Sequence, residues 1–144
     1  MWLRDHHKHP SHILIMRKIE QQMNDAITKC IDWKNDNTEV VYSPERDANY
    51  VMLHGNHIAT IGDTWLQLFN CGYKTMTTKS RLNAILSEHG NSERIYQKKG
   101  EWFVSTKYGD IVFAEGMILR WFFIPCATWR TDHKITHSTP GGLY

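Results

Sequence analysis

The stretch NYVMLHGNHIATIGD, Asn49 to Asp63, decides the fold. Two runs of alternating side chains meet at Gly55-Asn56, a pair that tolerates positive φ, so the stretch reads as a β-hairpin. Upstream, TEVVY from Thr38 is short and β-branched, and SPERDA supplies the Ser, Pro and Asp of a turn. Downstream, Gly62-Asp63 marks another tight turn and TWLQLFN a further strand. Connections this short permit only antiparallel pairing, so the middle of the chain reads as a meander.

Helical signals flank the meander. From about Ser11, Ile15 or Met16, Ile19, Met23, Ala26 with Ile27, and Cys30 recur at three- and four-residue steps, with polar residues between. That pattern predicts an amphipathic helix ending around Trp33, before the breaker run KNDN. A second helix is expected from about Thr78 to His89, N-capped by Thr77 or Thr78. Leu82, Ile85, Leu86 and His89 would form its narrow apolar face, and Gly90 its C-cap. RIYQKKGEWFVS, from Arg94, reads as a second hairpin turning at Lys99-Gly100, and DIVFAEG extends it. MILRWFFIPCATW, from Met117, is apolar and reads as a last strand or a core-packed segment. The fold class is therefore α+β: an N-terminal helix and a second short helix on an antiparallel sheet of five to seven strands. Residues 1–15 read as a His-rich extension, 16–129 as one domain and 130–144 as a tail. Met16 would serve as a natural start.

At 144 residues the chain is long enough to bury a core without staples. Cys30, Cys71 and Cys126 are odd in number and far apart, which signals neither a disulfide framework nor a zinc site. A reducing setting is the expectation, and no apolar run approaches a membrane span. Net charge is +2, but residues 72–107 hold seven Lys/Arg against three Asp/Glu.

That excess gathers at the start of the second helix. A helix N-terminus carries partial positive charge and disfavours bases, yet Lys74, Lys79 and Arg81 surround it. Thr75, Thr77, Thr78 and Ser80 add hydroxyls, and no acid lies between Asp63 and Glu88. An anion would reconcile the arrangement, since free N–H groups, hydroxyls and flanking cations are the parts of a phosphate site. The expected contacts are Lys74, Thr77, Thr78, Lys79, Ser80 and Arg81. Arg94, Lys98 and Lys99 extend them on the next hairpin, interleaved with Tyr96, Trp102 and Phe103. Cations beside exposed aromatics suit single-stranded nucleic acid, because bases stack while phosphates pair. The bland alternative is a solvated basic face over core aromatics.

Other chemistry is less well supported. His54, Asn56 and His57, with Asn83 and His89 on a later helix, suggest a metal-dependent nuclease, but the hard ligands such a metal needs are not grouped. His6, His7, His9 and His12 could bind a divalent ion, although no carboxylate or Cys completes a fixed site. No phosphate loop, nucleophile elbow or zinc spacing is present. The expectation is a non-enzymatic protein without a cofactor. Its partner is nucleic acid or, alternatively, another protein.

MRKIEQQMNDAI from Met16, NTEV from Asn37, VMLHGNHIATI from Val51, TTKSRLNAIL from Thr77 and IYQKKGEWFV from Ile95 resemble a group of small proteins of tailed bacteriophages and prophages. The resemblance runs from Met16 to about Met117. It implies a phage accessory protein acting in the cytoplasm of the infected bacterium, and it carries no catalytic residues. The alternative to a nucleic-acid partner is then a host protein that it modulates or inhibits, or a place as a minor virion component.

Overall fold

The computed structural model describes residues 16–120. Helix α1 (Lys18–Lys29) buries Met23, Ala26 and Ile27 along one stripe, as its periodicity predicts. It ends before the expected Trp33. Cys30 takes a left-handed conformation with φ 56°, and the N–H groups of Cys30 and Ile31 bond back to the carbonyls of Ile27 and Ala26. Cys30 carries no glycine-like signal for that conformation. The freed chain extends at once: Trp33, with Lys34 and Asn35 of the expected breaker run, forms strand β1 (Trp33–Asn35), and the turn falls on Asp36-Asn37.

The meander follows as β2 (Thr38–Ser43), β3 (Ala48–Leu53), β4 (Asn56–Ile61) and β5 (Trp65–Leu68). The β3–β4 turn sits one residue earlier than expected. His54 and Gly55 both have positive φ, 53° and 79°, the geometry whose twist matches flanking strands, and Asn56 opens β4. After helix α2 (Met76–His89) come β6 (Arg94–Lys98), β7 (Glu101–Thr106), β8 (Gly109–Val112) and β9 (Met117–Arg120). All described pairings are antiparallel.

The strands form two sheets. The six-stranded one runs β1-β2-β3-β4-β5-β9, and the second hairpin with its extension forms a separate three-stranded sheet, β6-β7-β8. Strand β9 returns to the first sheet beside β5, pairing Trp65 with Arg120 and Leu68 with Met117. The two helices pack on one side of the larger sheet and on each other, and α2 also packs on β6. One hydrophobic core joins all three parts: Met23 of α1, Val51 and Leu66 of the large sheet, Leu82 of α2, and Ile95 and Val104 of the small one.

Helix α2 starts two residues before the expected position. Its N-cap is Thr75, whose Oγ1 accepts a hydrogen bond from Thr78 N–H at 3.1 Å. Instead of one narrow apolar face, every residue from Arg81 to Leu86 is buried. The cause is position: α2 touches α1, β4 and β6 together. Gly90 closes the helix in an extended conformation, φ −94°, not the left-handed one its sequence position suggested. Small size is what it supplies, since a Cβ there would lie 2.7 Å from the Leu86 carbonyl oxygen.

Candidate functional site

The hydroxyl-rich, basic start of α2 divides into an inward half and an outward half. Arg81 is only 4% exposed, and the carboxylate that meets it, Glu20, is 1% exposed. Arg81 Nη1 donates to Glu20 Oε2 at 2.7 Å, Nε donates to Thr38 Oγ1 at 3.0 Å, and Nη2 reaches Asn37 Oδ1 at 3.4 Å. Ser80 Oγ donates to the same Glu20 oxygen at 2.6 Å. The other carboxylate oxygen accepts Arg17 N–H, in the first turn of α1, where an acid also complements the helix dipole. Thr78 is buried and shares a hydrogen bond with the Thr75 hydroxyl at 3.0 Å. Three of the expected phosphate contacts, Thr78, Ser80 and Arg81, are thus committed to the protein's own groups, and Glu20 is the anion for two of them.

The remaining cations face outward. Lys74, Arg94, Lys98 and Lys99 are exposed, and Lys79 Nζ donates to Gln97 Oε1 at 3.2 Å. That bond sets the first turn of α2 beside β6. Further along, Asn83 clamps the same strand: its Nδ2 donates to the Ile95 carbonyl at 2.9 Å and its Oδ1 accepts Ile95 N–H at 2.7 Å. Lys74 and Glu101 line one small hollow, so the approach to α2 also lies against the start of β7. The structure therefore gathers Lys74 and Lys79 next to the hairpin that carries Lys98 and Lys99.

Register sorts the aromatics of that hairpin. Ile95 pairs with Val104 and both are buried, so they face the core. Trp102 is buried as well, edge-on to Phe113 at 5.3 Å between ring centroids. The alternate set, Tyr96, Phe103 and Val112, forms a row across the opposite face. Tyr96 and Phe103 stack with centroids 5.5 Å apart and planes 22° from parallel. Arg94, Ser105 and Asp110 form the next row on the same face, and Lys98 with Glu101 a third. Tyr96 donates its phenolic proton to Asp110 Oδ2 at 2.6 Å, and that bond holds its pKa above the ordinary value. Of the three aromatics expected beside the cations, two lie on this face and Trp102 does not.

A separate cavity of about 380 Å³ opens between the β3–β4 turn and the first turn of α2, lined by Leu53, His54, Asn56, Ile58, Asn70, Tyr73, Thr75, Thr77 and Thr78. The approach to α2 is fixed by Glu115, which accepts Asn70 N–H at 2.8 Å and Cys71 N–H at 2.7 Å. Sequence reading placed Asn56 in a turn and His54 beside it, and the α2 residues that complete the cavity lie some twenty positions away.

Of the side chains of the nuclease alternative, His54 and Asn56 meet at this cavity, whereas His57 and Asn83 are used elsewhere. His54 sits at the hairpin turn. His57 packs against Tyr50 and Phe69 and shares a 2.7 Å hydrogen bond with Thr60 Oγ1, and burial lowers its pKa. Asn83 holds β6. Among the described residues no group of three or more His, Cys, Asp or Glu side chains could hold a metal ion. His6, His7, His9 and His12 lie outside the described residues. Burial, then the Glu115 charge, pushes the Cys71 thiol up, the reverse of what a nucleophilic cysteine requires. No described helix is long and apolar enough to cross a membrane.

Comparison with known proteins found no match among curated proteins and none among solved structures. A family model does match, over residues 16–120, most of the chain and the same span in which both sheets and both helices lie. It is a phage family, in keeping with the resemblance read from the sequence, and the chain belongs to it: the Kyanoviridae Gp96 protein family.

Proposed function

We infer that this phage accessory protein binds single-stranded nucleic acid, without chemistry of its own, in the cytoplasm of the infected bacterium. The observation that carries this reading is the Tyr96–Phe103 stack on the solvent-facing side of the small sheet, flanked by Arg94 and Lys98. Aromatic rings accept bases of any sequence, while neighbouring cations meet the phosphates. Lys99 carries the positive surface to the hairpin tip, whereas Lys74 and Lys79 lie on the α2 side of the small sheet, where Lys79 meets Gln97. Asp110 and Glu101 on the same face temper its charge, which favours modest affinity, and the phosphate contacts make that affinity fall as salt rises.

The test is a fluorescence-anisotropy titration of the full chain with single-stranded oligonucleotides across a salt series. Phe103→Ala is expected to weaken binding about 5- to 150-fold, the range of one missing base stack. Arg94→Glu with Lys98→Glu, both at exposed positions, is expected to flatten the salt slope by roughly 0.7 for each phosphate that is no longer neutralised. Unchanged affinity in both variants would sink the reading. A second reading, docking of a host protein, draws on edge strand β8, where all four residues are exposed, Val112 at 60%. Pull-downs from infected cells with and without nuclease separate the two, since only a nucleic-acid-bridged partner disappears on digestion.

A further inference from the structure

We propose that the cavity between the β3–β4 turn and the start of α2 seats a nucleoside monophosphate group, either a free nucleotide or the 5′ end of a strand. Its volume, about 380 Å³, falls within the range of small-molecule sites, and its lining has the required mixture of apolar wall and a few polar groups. Leu53 and Ile58 supply the apolar wall. Tyr73, 57% exposed, offers a ring face against which a base can stack.

Two features point to what the cavity takes. The first is Asn70, which lines it and is only 8% exposed. Its Oδ1 accepts Gly72 N–H at 2.8 Å, but its Nδ2 makes no hydrogen bond among the described residues. The donor of this largely buried residue is free to bond a ligand in the cavity, and an amide is suited to the edge of a base. The second is the helix start. The N–H groups of Met76 and Thr77 and the Thr77 hydroxyl have no partner among the described residues, and the first turn of α2 contains no acid. Lys74 is exposed between Tyr73 and Thr75, both of which line the cavity. Phosphate at that end satisfies the free N–H groups and the dipole together. The inward commitment of Arg81 and Ser80 leaves this reading intact, because neither lines the cavity.

This site is independent of the Tyr96–Phe103 face, so each can fail alone. Calorimetric titration of the full chain with AMP, CMP, inorganic phosphate, and one oligonucleotide with and without a 5′ phosphate tests it. A nucleoside monophosphate is expected to bind with a Kd on the order of 10 μM to 1 mM, and inorganic phosphate at least about tenfold more weakly. Thr77→Glu places a carboxylate where the phosphate sits and is expected to weaken nucleotide binding about tenfold or more. The same change complements the helix dipole, so the melting temperature holds or rises and unfolding is not the cause. Tyr73→Ala is expected to weaken binding too, while Arg94→Glu with Lys98→Glu leaves it unchanged. Tighter binding of the 5′-phosphorylated strand than of the same strand without the phosphate identifies a strand end, and equal binding of the two strands identifies the free nucleotide. Absence of nucleotide binding, equal affinity for inorganic phosphate, or full binding by Thr77→Glu each overturns the proposal.

Discussion

Replacing Glu20 with Gln keeps the shape of the side chain and removes the one charge that Arg81 meets among the described residues. The guanidinium, 4% exposed, would remain in the core without a counterion. Removing one partner of a buried pair costs about 3–5 kcal/mol, because the survivor keeps its desolvation penalty. For a domain of this size each kcal/mol shifts the midpoint by roughly 4–5 °C, so the loss corresponds to a drop of about 12–25 °C. Urea denaturation followed by circular dichroism, with the slope checked for constancy, reads the change directly. The double variant Glu20→Gln with Arg81→Met is expected to cost clearly less than the two single changes added together, since the unpaired charge is gone. A loss below about 1 kcal/mol for Glu20→Gln, or additive singles, would show that the pair does not organise this end of the core.

Three further outcomes are expected. Asn83→Ala leaves both polar backbone groups of Ile95 without partners and should destabilise the fold by about 2–4 kcal/mol, with early hydrogen exchange at β6. A Cβ at Gly62 would sit 2.0 Å from Trp65 Nε1, so Gly62→Ala must swing the indole aside and is expected to cost about 1–3 kcal/mol and shift Trp65 fluorescence. The lowered pKa of His57 means that below about 6.5 the unfolded chain takes up a proton the folded one refuses, so its contribution is full above that pH and declines as pH falls through the folded pKa. Urea midpoints measured from pH 7.5 to 4.5 should fall less steeply in His57→Phe than in the parent.

The local turns were legible in the sequence. Lys99-Gly100 turns the second hairpin with φ of 52° and 81°, as the glycine implies, and the first hairpin missed by a single position only because His54 accepts positive φ. The α1 stripe was legible for the same reason: its periodicity is a local property. What could not be read was everything polar that is buried by distant partners. Arg81 meets an acid 61 residues away, so a composition argument sees an excess of cations where the fold has a neutral pair. Asn83 looks like an exposed position of α2, and the second sheet, packed on its far side, buries it. The division of strands between two sheets depends on β9 returning to β5, a pairing without a sequence signature. In the candidate site, Lys74, Lys79 and the Tyr96–Phe103 row could be proposed from composition and alternation, whereas the cavity needed residues from two separated segments.

The return of β9 to β5 sets an order of assembly. Between these neighbours lie residues 69–116, including α2 and the whole small sheet. Closing a loop of about 50 residues costs roughly 3 kcal/mol more in chain entropy than closing a two-residue hairpin, so the pair cannot lead folding. Strands β1 to β5 can zip locally, as can β6 to β8, and each leaves an apolar face open until α2 bridges them. Strand β9 is then the clasp that forms last, and the edge of β5 stays available to other chains until it does. Each newly made chain passes through that interval, and it is there that the protein is most exposed to aggregation.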